Sequence, residues 1–265
     1  NDTYSLAAIY DISNDLTIAS DIVQARGSFV KTGPGTLRLA GTGTTRLNQA
    51  GALADNANGI QSRFIPLPNG DSPTKGFRGF HVLEGKLVLG ENGGTYLIGN
   101  ANNASVGGWT AERTQEVDAT LEVVGGNVQF SQWFMHGSYN GNTNNTPERL
   151  PRSTFRVTGG QVSFGDCFSM GRNKLDYTLF PQRSAPRLEV YGGTMTVSDA
   201  LNMADDRGAR SAVVVTNGTL IAALAQTGRI TGNTDTTNTV LVTGNGSFVI
   251  TGGFIQKNLN ANKSI

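Results

Sequence analysis

The chain has 265 residues, 35 of them Gly, and balances 21 Lys and Arg against 20 Asp and Glu. With 37% hydrophobic residues and 12 Phe it can bury a core, which argues against wholesale disorder. The lone Cys167 excludes an intrachain disulfide, and two His exclude a Cys/His zinc cluster. The near-neutral charge argues against nucleic acid or an anionic membrane as main partner. No run of 18 apolar residues is present, so no helical membrane insertion by this chain is expected. Beginning at Asn1 without a basic, then apolar, leader, it reads as a mature product or an excised piece.

Residues 1–26 are apolar in patches but lack the glycine that anchors each later segment. They are expected to cap the first turn or to add a strand to an edge. From 27 to 256 one unit recurs: FVKTGPGTLRL (29–39), FHVLEGKLVL (80–89), LEVVGGNVQF (121–130), FRVTGGQVSF (155–164), LEVYGGTMTV (188–197), VVVTNGTLIA (213–222) and LVTGNGSFVI (241–250). Aligned on the last glycine, the anchors are Gly35, Gly85, Gly126, Gly160, Gly193, Gly218 and Gly246, spaced 50, 41, 34, 33, 25 and 28 residues apart. A fixed core with insertions of variable length is expected of stacked rungs with loops. Residues 257–265 form a polar tail, or leave an uncapped end that pairs with the next molecule or with the remainder of a longer chain.

Apolar residues fall at fixed offsets from each anchor. Phe80, Leu121, Phe155, Leu188 and Val213 precede it by five, and Val82, Val123, Val157, Val190 and Val215 by three. Leu37, Leu87, Val128, Val162, Met195, Leu220 and Phe248 follow by two, and Phe134, Phe168, Leu201 and Phe254 by eight, with Gln226 the exception. This is the period of strands, in runs too short for helices. Intervening Glu122, Arg156, Glu189, Gln129, Ser163 and Thr196 should face solvent. The glycine pair supplies the positive φ that bends one strand into the next. The expectation is an all-β fold, a single right-handed parallel β-helix (solenoid) of about seven three-strand turns with loops on one flank.

The stretch Val30-Lys-Thr-Gly-Pro-Gly-Thr-Leu-Arg-Leu-Ala-Gly (30–41), followed by Gly51-Ala-Leu53, resembles the autotransporter-associated β-strand repeat of bacterial passenger domains. Lys31, Gly33, Gly35, Thr36, Leu37, Leu39, Gly41, Gly51 and Leu53 match that pattern, while Gly43-Thr44-Thr45 replaces its usual Asn-Thr-Tyr. The resemblance implies an exported bacterial β-helix, attached to the surface or released, with a structural or adhesive role.

Insertions at 138–153, 172–186, 205–211 and 229–239, with 54–78 and 99–118 earlier, are expected on one flank. Its candidate contact residues are Trp133, Tyr139, Arg149, Arg152, Arg172, Tyr177 and Arg183, toward an extracellular glycan or a neighbouring copy. Self-association end to end is the other partnership expected.

Carboxylates are the place to look for chemistry. Asp166 and Asp199 both lie six residues after their anchors and should stack one rung apart; Asp205, Asp206, Arg207 and Arg210 follow the same turn. Such a cluster would suit a polysaccharide lyase or hydrolase, but two acids in register equally read as a polar corner. His136 should be a packed interior side chain, His81 should point outward, and neither has a Ser or Cys partner for a triad. No cofactor or metal is called for. The expectation is a non-catalytic structural or adhesive element, with a carbohydrate-active β-helix as the alternative.

Overall fold

A computed structural model describes residues 7–24, 28–47, 79–99, 104–107, 118–137, 153–171, 186–205, 210–228 and 236–256. Their 22 strands wind in chain order around three faces. The first rung is β1 (Ala7–Asp11), β2 (Leu16–Ile18) and β3 (Val23–Gln24). The second is β4 (Ser28–Thr32), β5 (Thr36–Leu39) and β6 (Thr44–Leu47); the third is β7 (Phe80–Val82), β8 (Gly85–Leu89) and β9 (Thr95–Ile98). Next come β10 (Ala104–Val106), β11 (Ala119–Val123) and β12 (Asn127–Phe130), then β13 (Phe134–His136), β14 (Ser153–Val157) and β15 (Gln161–Phe164). From the sixth rung the chain is β16 (Phe168–Met170), β17 (Arg187–Val190), β18 (Thr194–Met203), β19 (Arg210–Thr216), β20 (Thr219–Thr227), β21 (Thr237–Thr243) and β22 (Ser247–Gln256).

Every pairing is parallel, each strand lying on its counterpart one rung away. This is a parallel β-solenoid. The first face carries β1, β4, β7, β10, β13 and β16, the second β2, β5, β8, β11, β14, β17, β19 and β21, the third β3, β6, β9, β12 and β15. β18, β20 and β22 run through the corner between third and first faces without breaking, which joins those two into one continuous sheet. The described residues complete eight rungs, one more than the repeat suggests, because 7–24 contributes a full first rung. At the spacing of paired strands the stack is roughly 40 Å long.

The glycine corner between the second and third faces makes the repeat visible. Backbone N–H groups of Thr95, Asn127, Gln161, Thr194, Thr219 and Ser247 donate to the carbonyls of Gly43, Gly94, Gly126, Gly160, Gly193 and Gly218 at 2.8–3.0 Å. At Gly160, φ is +72° and a Cβ would lie 2.5 Å from the Gly126 oxygen, so only glycine can turn there while the lower rung keeps its place. This column corrects the alignment at two anchors. Gly35 and Gly85 instead sit where the second face begins, and the true counterparts of Gly126 are Gly43 and Gly94. Accordingly Leu37 and Leu87 stack on Leu121, and Phe80 belongs to the Phe29 column of the first face. Both bends are Gly-rich, and short strands of like character flank each of them, so spacing alone does not say which corner a glycine occupies.

The interior is a stack of like on like. Leu37, Leu87, Leu121, Phe155, Leu188 and Val213 form one column, all with no exposed surface. In the middle rungs the rings of Phe130 and Phe164 stack at 4.8 Å and 3°, those of Phe134 and Phe168 at 5.3 Å and 6°. A register shift between Ala222 and Leu224 explains the Gln226 exception: Ala225 takes the interior place over Leu201, and Gln226 turns outward.

The outer surface of the first face is itself buried, with Val30, His81, Met135, Ser169 and Asn202 all at most 5% exposed. His81 therefore lies on the outward side as expected but not in solvent. The chain leaves the described rungs at 138–152, 172–185, 206–209 and 229–235 between the first and second faces, whereas 48–78 leaves between the third and first. Two corners, both bordering the first face, thus carry the insertions rather than one.

Candidate functional site

Asp166 and Asp199 do meet, at the corner where the third face turns into the first. Asp166 Oδ1 accepts the Cys167 N–H at 2.7 Å, and the Cys167 thiol donates to Asp199 Oδ2 at 3.1 Å. One donor atom from each of the three falls within 4.8 Å of the others. Burial, and then the hydrogen bond to Asp199, push the thiol up to about 12. A thiol so firmly protonated is a poor nucleophile. Two exposed carboxylates and that thiol fall well short of the six to eight oxygens that calcium collects. The arrangement works as a corner clamp, each Asp satisfying a donor of Cys167.

The other acids do not join them. Asp205 is buried at the far end of the first face, its N–H donating to the Met170 carbonyl at 2.9 Å. The last residues of β18, which form the first face at this rung, and the bend at Ala204 separate it from Asp199. Arg210 opens β19 on the second face, and Asp206 and Arg207 lie outside the described residues. Among the described candidates, Asp166 and Asp199 share a corner, while Asp205 and Arg210 stand away from it. Of the expected contact surface, Trp133 is half-buried with its indole N–H donating to Ser169 Oγ at 2.8 Å. Tyr139, Arg149, Arg152, Arg172, Tyr177 and Arg183 lie outside the described residues.

Three arrangements escape a reading by offsets alone. On the second face, the positions expected to be simply solvent-facing form a ladder of ions: Lys86 with Glu122 and Arg156 with Glu189 at 2.7 Å cross from rung to rung, and Arg187 joins Glu189 at 2.9 Å along the same strand. Burial opposes the charge of Glu189, but its two arginines outweigh that and hold the carboxyl below its ordinary range. The alternation of Glu122, Arg156 and Glu189 in the aligned repeats is the signal that points to it. On the first face, Gln226 Nε2 donates to Asn202 Oδ1 at 2.5 Å and Asn202 Nδ2 to Ser169 Oγ at 2.8 Å, a second polar ladder. Inside the solenoid, Lys31 is buried with Nζ donating to the carbonyls of Thr32, Gly33 and Glu84 at 2.7–3.0 Å. Desolvation pulls it down to about 8. Its work is to tie two successive bends together.

His136 is interior, as expected, between Val106 and Met170. Its Nε2 hydrogen bonds the Arg187 carbonyl at 2.9 Å, which makes that nitrogen the donor and leaves Nδ1 buried without a partner. Desolvation pushes the ring down to about 4. The unfolded chain takes up this proton below about pH 6.5 while the fold resists it down to about 4, so stability falls as pH drops through that window. The loss is about 3 kcal/mol at its limit. Urea unfolding of wild type and His136→Met between pH 7 and 4 should show a drop in the first that the second lacks; equal pH profiles would refute the assignment.

The molecule is thus a parallel β-solenoid in which Lys31, His136, Cys167 and the ions of the second face hold rungs and corners together. No family model, no curated protein and no solved structure matches the chain.

Proposed function

We propose that the chain is a non-catalytic extracellular rod, a structural or adhesive element of a bacterial surface or filament. The observation that carries this reading is the continuous stack: eight rungs bonded parallel through every face, with a stacked interior and ionic and amide ladders outside. Side chains that would serve chemistry elsewhere work here as ties, Lys31 across bends, Cys167 across a corner and His136 between faces. The resemblance of residues 30–53 to the autotransporter-associated repeat supports export and a surface role.

Two measurements test the proposal. Small-angle scattering should return a stiff particle with a long axis of at least roughly 40 Å. Incubation with uronic-acid polymers, with and without calcium, should give the same result for wild type and Asp199→Ala: no depolymerisation above buffer. Activity present in wild type and lost in Asp199→Ala would establish a carbohydrate-active enzyme instead.

A further inference from the structure

The three faces present different surfaces. The outer side of the first is buried, and the third-face strands β3, β6, β9, β12 and β15 carry a single charge, Arg46. On the second face charge is concentrated, and it is layered. Arg156 Nε donates to Glu189 Oε2 at 2.7 Å and Arg187 Nε to Glu189 Oε1 at 2.9 Å, so one carboxylate orients two guanidinium groups from adjacent rungs. Lys86 pairs with Glu122, which Arg156 Nη1 also approaches at 4.0 Å. The carboxylates lie underneath. Side chains of Glu122 and Glu189 are 11% and 5% exposed, against 34% for Lys86 and Arg156 and 47% for Arg187. An approaching molecule therefore meets three cations. Among the described residues the Nη groups of both arginines make no hydrogen bond, which leaves their outer donors fixed in place and uncommitted.

The register adds hydroxyls to this strip. Lys86, Thr120, Thr154 and Arg187 form one outward column over four successive rungs, and both threonines are partly exposed. The column reads cation, hydroxyl, hydroxyl, cation over three strand spacings, roughly 14 Å. Arg156 is the next outward residue after Thr154 on β14. Glu91 and Asp118 lie at the two borders of the face, and Glu91 is matched by Arg38 at 3.5 Å.

We infer that this strip of the second face binds an acidic polysaccharide, a polymer whose sugar rings carry carboxylates among hydroxyls, laid along the solenoid axis. Charge complementarity selects that occupant. A guanidinium is a planar fork that holds a carboxylate through two parallel N–H···O bonds, and both arginines have their Nη donors to give. Threonine hydroxyls between the cations can donate to and accept from sugar hydroxyls. Because Glu189 fixes both arginines before a ligand arrives, little side-chain ordering is left for the binding step. A nucleic acid, with its closely spaced phosphates, calls for a denser basic field than three cations over two carboxylates supply. The surface lies on the strands themselves and not on the insertions.

The choice of polymer rests on the extracellular, adhesive reading proposed above, and the test keeps the two apart. Beads carrying polygalacturonate or alginate, two polyuronates, should deplete the whole chain from solution, and beads carrying neutral dextran should not. Retention should weaken as salt rises from about 50 to 500 mM. Arg187→Gln should weaken it about 10-fold or more. Arg46→Gln removes the same charge from an exposed position on the third face and should leave it unchanged. Lys86→Gln, which should also weaken retention, gives a second reading of the strip, and circular dichroism checks that each variant keeps the wild-type fold. A chain held by neither polyuronate overturns the inference. So does equal retention on dextran, tighter retention on single-stranded DNA, or an equal loss in Arg187→Gln and Arg46→Gln. Each of those outcomes leaves the rod standing. A polyuronate that is bound through Arg187 and also shortened would overturn the non-catalytic reading while supporting the binding strip.

Discussion

Gly160→Ala lowers the stability of the solenoid by about 3 kcal/mol or more, while Gly93→Ala costs only about 1 kcal/mol. The comparison separates two penalties that usually occur together. Both glycines have positive φ, +72° at Gly160 and +79° at Gly93, so both substitutions force an L side chain into the left-handed region. Around Gly93 a new Cβ would find nothing within 4 Å. At Gly160 it would meet the Gly125 carbonyl carbon and the Gly126 oxygen, each at 2.5 Å. Neither is the movable tip of a side chain. Both are backbone of the rung below, and that rung is fixed by the hydrogen bond from Gln161 N–H to Gly126. Relief would require the rungs to separate at the corner. Chemical denaturation of the two variants beside wild type measures the difference directly. Equal losses would mean that the corner gives way and that φ alone is the constraint.

Phe134→Ala is the second large effect, a loss of about 4 kcal/mol. The ring has no exposed surface and lies within 4.9–5.4 Å, centroid to centroid, of Phe130, Phe155, Phe164 and Phe168. Three of those contacts are edge-to-face and the fourth, with Phe168 one rung along, is stacked. Truncation removes the transfer energy of the ring and opens a cavity bounded by four other rings. Each of these is held in its own column, so collapse into the space is restricted. Phe134→Leu keeps most of the volume and should cost about 1 kcal/mol. The same denaturation series decides it: a Phe134→Ala loss no larger than that of Phe134→Leu would show the neighbouring rings closing over the gap.

The path from residues to fold is short where the repeat is clean. In 121–136 and 155–170 three strands follow from the offsets alone, because a period of two around a fixed Gly-Gly leaves no other placement; in 188–203 the same offsets hold, with the second and third strands running on as β18. Placement fails where two corners look alike. Offsets put the Gly35 and Gly85 bends at the wrong corner, because the glycine count of a bend says nothing of its position around the circumference. The first rung is unreadable for a different reason. It has no glycine in 7–24 and uses Asp side chains at its bends: Asp15 Oδ1 accepts the N–H of Thr36 at 3.1 Å and Asp21 Oδ1 that of Gly43 at 3.0 Å. Those from Thr36 hold Asp15 below its usual range. A side-chain carboxylate thus stands in for the backbone carbonyl that the next rung would otherwise use, and a search for glycine passes over it.

For the candidate acids, register is legible and extent is not. Stacking places Asp166 near Asp199, and the structure adds the thiol between them. What offsets cannot give is that Asp205 lies across the width of a whole face from that pair, because β18 passes unbroken through the corner and carries the chain away. Interior lysine is equally hidden. Lys31 stands at a column position held elsewhere by Val82, Val106 and Met170, and nothing in its spacing distinguishes it from a surface cation.

The aromatic residues are concentrated at the middle of the stack, with Phe130, Phe134, Phe155, Phe164 and Phe168 in three consecutive rungs. Every strand pairs only with the rungs next to it, so chain segments tens of residues apart are the longest loops that folding must close. The rungs with the most apolar surface to gain are the ones that can repay that closure first. Order is therefore born in the centre and spreads outward along the axis in both directions, each finished rung serving as the template for the next. Unravelling runs the same course backward, from the tips inward, and the aromatic waist is the last part of the molecule to let go.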